Sequence, residues 1–293
     1  MAPLSERGTA FGRPVESDLA LPLGRWNGKG LGGPLRIRRG KPEKLYPSDR
    51  RLTRIGASSE VGGVVSPRRS TIWVERTGRY PGALWGAVMG LSLPHLLSAS
   101  GSVVLHASCA IRDGTAVAFV GRQRAGKSSI AAGLLTAGWR LVADDSVVVT
   151  VTGGRVRVAP SFPALRLWTP LAASLTSALG LEQAPIHPDI QKQWVFLSQN
   201  HWSEQARVDL ACLCILDERS PSRLHGPETM LAVLAATYDP DPELRRHWSR
   251  WFDSARQLAC SIPVLRLSVP SEFDAGFRFA RGVTRQLRAA GVL

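Results

Sequence analysis

The chain has 293 residues, of which 44% are hydrophobic, and a formal net charge of +14. That length holds one large domain or two modest ones, and the apolar share supports a sizeable core. No run of about 18 apolar residues is present, and the N-terminus Met-Ala-Pro-Leu-Ser-Glu-Arg lacks the apolar stretch of a secretory signal. A cytoplasmic chain without a membrane partner is therefore expected.

The charge is uneven. The first 70 residues carry 14 Lys and Arg against six Asp and Glu, in a segment rich in Gly and Pro. No aromatic residues interleave with these cations in the manner of a nucleic-acid arm, so a solvated basic segment is expected and no nucleic-acid partner. Only five lysines occur in a chain that otherwise uses Arg, and past Lys44 only Lys127 and Lys192 remain. A retained Lys in such a background suggests a position that needs a compact point charge. The four cysteines, Cys109, Cys212, Cys214 and Cys260, fit no zinc spacing and read as small apolar residues in a reducing compartment.

In chain order, residues 1–33 lack clear periodicity and are expected to be irregular or flexible. Residues 34–99 form a β-rich N-terminal part with short alternating strands, such as 35–38 and 71–74, and end in a buried helix over 83–99 bent at Pro94. Residues 100–293 read as one further domain. Strands at 103–111 and 115–120 flank the turn Asp113-Gly114 and resemble a hairpin. A helix opens at Ser129. An apolar strand ends in Asp144-Asp145, and a second hairpin turns at Gly153-Gly154. Helices are expected at 170–180, 228–237, 242–260 and 272–290, with strands at 208–216 and 264–269. The class is α/β with several antiparallel connections.

Residues 121–129 read Gly-Arg-Gln-Arg-Ala-Gly-Lys-Ser-Ser, which fits the phosphate-binding pattern G-x-x-x-x-G-K-[ST]. The apolar run 116–120 before it and the helix after it are the context that the motif needs. Gly121, Arg122, Gln123, Arg124, Ala125, Gly126, Lys127, Ser128 and Ser129 are the candidate phosphate-binding residues. Backbone N–H groups and the helix N-terminus would face phosphate oxygens. Lys127 would reach the outer phosphates, and the Ser128 hydroxyl would sit on Mg²⁺. Arg122, Gln123 and Arg124 are bulkier than the residues usual in such a loop. Asp144-Asp145 follows Lys127 by 17 residues. Adjacent carboxylates at a strand end can divide the work, one holding Mg²⁺ and one taking a proton from an attacking hydroxyl. Asp217-Glu218, at the end of another apolar strand, is a competing acidic pair.

Four segments together resemble the catalytic domain of HPr serine kinase/phosphorylase. They are Leu105-His106-Ala107, Phe119-Val120-Gly121, Gly126-Lys127-Ser128 and Leu141-Val142-Ala143-Asp144-Asp145. Weaker likeness to HPr-kinase-related proteins of unassigned substrate extends over 155–200 and 228–270; some such relatives act on ribosomally made peptides, including lasso-peptide precursors. The resemblance implies a P-loop kinase core of the HPr kinase and phosphoenolpyruvate carboxykinase type, with a mixed, partly antiparallel sheet. It implies an ATP- and Mg²⁺-dependent kinase acting on a Ser or Thr hydroxyl of a small protein or peptide, with a homo-oligomer possible. Asp144 would be the base, Asp145 a Mg²⁺ ligand, and His106 an orienting residue; the roles of the two acids are open to exchange. Arg166 and Lys192 are weaker candidates for neutralising the transferred phosphoryl group. A later Glu-x-Arg-Gly-Leu-Gly-Ile signature of the bacterial HPr kinases has no counterpart here, which counts against HPr itself and reverse phosphorolysis; an HPr-like carrier and a ribosomally made precursor peptide both stay open as acceptors. The alternative reading is a catalytically silent nucleotide-binding regulator.

Overall fold

The β-branched and aromatic run Thr115–Val120 is buried almost throughout and forms a central strand, while Lys127–Thr136 after the glycine loop forms a helix. The computed structural model describes residues 4–25, 32–46, 49–52, 61–205, 207–237, 248–269 and 277–293.

The described elements run β1 (Ser5–Ala10), β2 (Arg13–Leu21), β3 (Leu35–Arg39), β4 (Arg50–Leu52), β5 (Val61–Ser66) and β6 (Thr71–Thr77). A long helix follows, built from α1 (Pro81–Trp85), a π-helical segment (Gly86–Ser92) and α2 (Leu93–Ala99). Next come β7 (Val103–Leu105), β8 (Ala107–Arg112), β9 (Thr115–Val120), α3 (Lys127–Thr136), β10 (Arg140–Ala143), β11 (Val147–Thr152), β12 (Arg155–Ala159) and β13 (Ala164–Trp168). The rest comprises α4 (Thr169–Leu179), β14 (Glu182–His187), β15 (Ile190–Phe196), β16 (Val208–Asp217), β17 (Ser222–Arg223), α5 (Gly226–Ala236), α6 (Trp248–Ser261), β18 (Val264–Ser268) and α7 (Phe279–Ala289).

The strands make three sheets, so the chain is mixed α/β. A six-stranded sheet has the order β1-β2-β3-β6-β5-β4, and a three-stranded antiparallel sheet the order β13-β15-β14. The largest sheet runs β10-β8-β9-β16-β12-β11-β7, with β18 beside β16. Within it β9, β16 and β18 are parallel neighbours, while β8 and β9 form the expected antiparallel hairpin. Asp113 and Gly114 both have positive φ, the geometry of a tight two-residue hairpin turn.

Two expectations need correction. Most of the segment 1–33, expected as irregular, is a hairpin of β1 and β2 turning at Phe11 and Gly12, both at positive φ. Along β2 the residues Val15, Ser17, Leu19 and Leu21 are buried in alternation, a period blurred in sequence by the polar Ser17 on the buried face and the apolar Ala20 on the exposed one, while Glu16 and Asp18 point outward. Those acids pair with Arg36 and Arg38 across the sheet, which neutralises part of the basic segment. The second correction is the strand expected over 103–111, which breaks at His106: 103–105 pairs with β11, and only 107–112 joins the hairpin with β9. The helix expected over 83–99 spans Pro81–Ala99 and carries a π-helical segment just before Leu93 and Pro94, whose missing N–H cannot continue the α-helical ladder. Among the described residues this helix, Pro81–Ala99, is the one long and apolar enough to cross a bilayer, and 72% of its apolar window is buried inside the protein. The beginnings of the helices expected at 242–260 and 272–290 lie outside the described residues.

The long helix and the six-stranded sheet share one core with Phe162, Ala164, Ile186, Trp194 and Phe196. The N-terminal half thus packs directly on the three-stranded sheet. That contact forms one wall of the site described next.

Candidate phosphate-binding and acidic site

The loop between β9 and α3 is shaped by its glycines. Gly126 has φ of 87°, which a side chain disfavours. A Cβ at Gly121 would lie 3.1 Å from the Ala125 Cβ and 3.3 Å from the Leu216 carbonyl oxygen, so glycine lets the loop follow β16 without a local shift. The first turn of α3 has no side-chain cap and no acidic residue. Its N–H groups and partial positive charge are left for an anion. Lys127 folds over the loop, donating from Nζ to the carbonyl oxygens of Gly121 at 3.0 Å and Arg122 at 3.1 Å. Burial lowers its pKa, opposed by the nearby Asp145 and Asp144.

Asp144 and Asp145 close the end of β10 in different environments. Asp144 is 3% exposed. Its Oδ1 accepts from Ser108 Oγ at 2.6 Å and Ser128 Oγ at 2.8 Å, and its Oδ2 from the Arg166 N–H at 3.1 Å. This acid therefore ties α3, β8 and β13 together. Asp145 has positive φ, 67°, a region that Asp tolerates better than most side-chain-bearing residues, and this turn aims its carboxylate away from that of Asp144. Its carboxylate lines the cavity above the loop and pairs with the Arg166 guanidinium. His106, at the break between β7 and β8, donates from Nδ1 to the Asp145 carbonyl oxygen at 3.0 Å, and the same nitrogen lies 3.8 Å from Asp145 Oδ1.

Arg166 is held from three sides. It pairs with Asp145, its guanidinium lies 5.6 Å from the centre of the Trp194 ring, and it packs against Gly90 of the π-helical segment. A Cβ on Gly90 would sit 3.2 Å from Arg166 Nη1. Trp194 in turn donates from Nε1 to the Gly82 carbonyl oxygen at 3.0 Å. The long helix thus fixes the cation that faces the acids.

These groups surround a cavity of about 700 Å³ lined by His106, Gln123, Arg124, Gly126, Lys127, Ser128, Ser129, Asp145, Arg166 and Lys192. Of the expected site residues, Asp144 lies beneath its floor, while Gly121, Arg122 and Ala125 line a second cavity of about 910 Å³ on the other flank of the loop. Gln123 and Arg124 border both. Arg122, Gln123 and Arg124 are exposed, so their bulk lies outside the turn of the loop. Asp217 and Glu218 line the second cavity, on the far side from Asp144 and Asp145. Asp217 is drawn to about 2 by the hydrogen bond and charge of Arg219 and also lies 3.5 Å from Arg266. Ser108, Trp168, Trp194 and Gly90 were not singled out from sequence. Ser108 carried a faint signal, a polar residue two positions from His106 in an apolar strand.

The oxygen-only donor set of Ser128, Asp144 and Asp145 fits Mg²⁺, which takes one or two carboxylates and draws its other ligands from phosphates and water. Among the described residues no group of three or more His, Cys, Asp or Glu side chains forms a metal cage.

No protein-family model matches the chain, and no curated protein matches it. A solved structure of the Hpr(Ser) kinase/phosphatase from Coxiella burnetii is similar with a TM-score of 0.34 and 11% identity, over 64% of this chain and 96% of that one. At that level the likeness leaves the function to be read from the residues of the site.

Proposed function

We propose that the chain is an ATP-dependent phosphotransferase that moves the γ-phosphoryl group to a Ser or Thr hydroxyl of a small protein or peptide in the cytoplasm. The observation that carries this reading is the hydrogen bond from Ser128 to Asp144, which joins the phosphate loop to the acidic strand end. A loop that only binds phosphate has no need of a second carboxylate aimed into the same cavity, and Asp145 is so aimed. The geometry favours exchanging the roles that the sequence resemblance implies. Asp144 has both oxygens engaged and suits the metal side of the site through Ser128. Asp145 is open to the cavity and suits the base that takes the acceptor proton.

Bound Mg²⁺, held by Ser128 and Asp144, would neutralise phosphate charge. The protein's own groups do the rest. The first turn of α3 and Lys127 hold the outer phosphates, with Lys127 leaving the loop carbonyls to do so. Arg166 stands against Asp145, where it balances charge as the acceptor proton moves. His106 holds the Asp145 backbone through Nδ1, and its ring lines the cavity. Positioning and electrostatics of this kind supply most of the rate in phosphoryl transfer. The second cavity, bounded by Ile215, Leu216, Leu231 and Ala232, has room for the base and sugar.

A silent nucleotide-binding regulator is the second reading, favoured by the Arg166–Asp145 pair that occupies the proposed base. Incubation with γ-labelled ATP and Ser-containing peptides separates the two. The kinase reading expects labelled peptide from the wild type. It expects Lys127→Ala to lose charged hydrogen bonds of about 1.5–3 kcal/mol, seen as weaker nucleotide binding and loss of transfer. Tight ATP binding with no transfer to any peptide supports the regulator.

A further inference from the structure

On the phosphotransferase reading, the cavity must also receive the acceptor. Strand register locates where. In the sheet β13-β15, Arg166 stands opposite Trp194 and Trp168 opposite Lys192. All four share one face, since side chains alternate along a strand. The Trp168–Lys192 pair therefore lies two residues, about 7 Å, further along the strands from Arg166. Arg166 is clamped deep at Asp145, whereas Trp168 is 44% exposed at the rim.

Lys192 is an unpaired charge. Its ammonium lies 5.1 Å from the centre of the Trp168 ring and makes no ion pair among the described residues. Of the other cations lining the cavity, Lys127 is engaged on the loop carbonyls and Arg166 on Asp145, while Arg124 is exposed to solvent on the loop. Burial and the like charge of Arg166 disfavour protonated Lys192, an effect that Asp144 and Asp145 offset only in part. A half-buried cation beside other cations is costly until an anion meets it. Four cationic side chains against one carboxylate line this cavity.

We infer that Lys192 and Trp168 form an acceptor subsite for a carboxylate side chain, and that the acceptor is an acidic peptide with Asp or Glu within about two residues of the phosphorylated hydroxyl. The rim position sets this subsite beyond the transferred group. One ammonium matches a monoanionic carboxylate. Trp168, with Ile186 and Ile190 also lining the cavity, offers apolar surface for the peptide stem.

The test is calorimetric titration without nucleotide, using the peptide Ac-Ala-Ser-Glu-Glu-Ala-NH₂ and its Gln-Gln counterpart. The wild type should prefer the Glu peptide by roughly tenfold or more, the scale of one charge-assisted contact. Lys192→Gln should lose that preference, and Lys192→Glu should shift it to a Lys-Lys peptide. Arg285→Gln, an exposed distant cation, should keep it. No preference in the wild type overturns the subsite, as does a preference that survives Lys192→Gln. Displacement of the Glu peptide by equimolar inorganic phosphate would assign the site to a phosphoryl group instead. ATP affinity, measured separately, keeps the two ideas apart. Selective peptide binding without ATP binding upholds the subsite and sinks the kinase. A fall in ATP affinity in Lys192→Gln with peptide preference intact sinks the subsite alone.

Discussion

Asp144 shows how one buried side chain can tie three elements together. It is buried, and three donors converge on its two oxygens. Asp144→Asn keeps the shape but turns an amide NH₂ toward at least one of those donors. Loss of a charged hydrogen-bond acceptor at a buried site predicts destabilisation of about 2 kcal/mol, read by urea unfolding. Asp145→Asn, in the open cavity, should leave stability nearly unchanged. Equal destabilisation by both variants would show that the two acids have the same environment. Asp217 gives a pH prediction. Its folded pKa, about 2, lies below the ordinary carboxylate value of 3.8 because Arg219 hydrogen-bonds and attracts the ionised form. A depressed carboxylate stabilises the fold above its unfolded pKa and loses that contribution as pH falls through the folded one. The stability gap between wild type and Asp217→Asn should thus be full at neutral pH and shrink between about pH 4 and 2. A gap that does not change over this window would rule out the ion pair as its cause.

At the scale of elements, the hairpins and the strand-loop-helix were legible because glycine turns and apolar runs are local signals. Asp113-Gly114 and Gly153-Gly154 turn the chain as expected, and Gly180 ends α4 with φ of 63°. The hairpin of β1 and β2 was not legible, because a polar Ser17 sits on its buried face, an apolar Ala20 on its exposed face, and its turn is made by Phe11 with Gly12 rather than by a familiar turn pair. The sheet β13-β15-β14 was also hidden: Arg166 and Lys192 break its apolar pattern, and their place is set by the acids of another element. Which acid faces the cavity was equally unreadable, since it depends on the left-handed turn at Asp145 and on donors far away in sequence. The π-helical segment makes its own prediction. Gly90→Val adds bulk 3.2 Å from the Arg166 guanidinium. It should push Arg166 off Asp145 and lower kcat of the proposed transfer with little change in nucleotide affinity. Unchanged kcat would show that the helix does not position Arg166.

At the scale of the molecule, the site is a seam. The main sheet supplies the loop, the acids and His106, and the three-stranded sheet supplies Arg166, Lys192 and Trp168. The N-terminal half seats its long helix against that sheet. Gly82 is the closest approach, since a Cβ there would lie 2.2 Å from the Pro185 carbonyl oxygen. Gly82→Ala should therefore cost about 1–3 kcal/mol through overpacking, and it should weaken transfer more than nucleotide binding, because the loop lies outside that contact. An N-terminal half unrelated to the chemistry would instead lose stability and leave transfer per folded molecule unchanged.

The central claim is that the cavity between the phosphate loop and Asp145 transfers a phosphoryl group. It is tested most directly by single-turnover transfer from γ-labelled ATP to a Ser-containing peptide by Asp145→Asn, with ATP affinity measured on the same preparation. The account predicts ATP affinity within a few-fold of the wild type and transfer slower by about 10²–10⁴, the usual contribution of a positioned base. Transfer at the wild-type rate with wild-type affinity would contradict it.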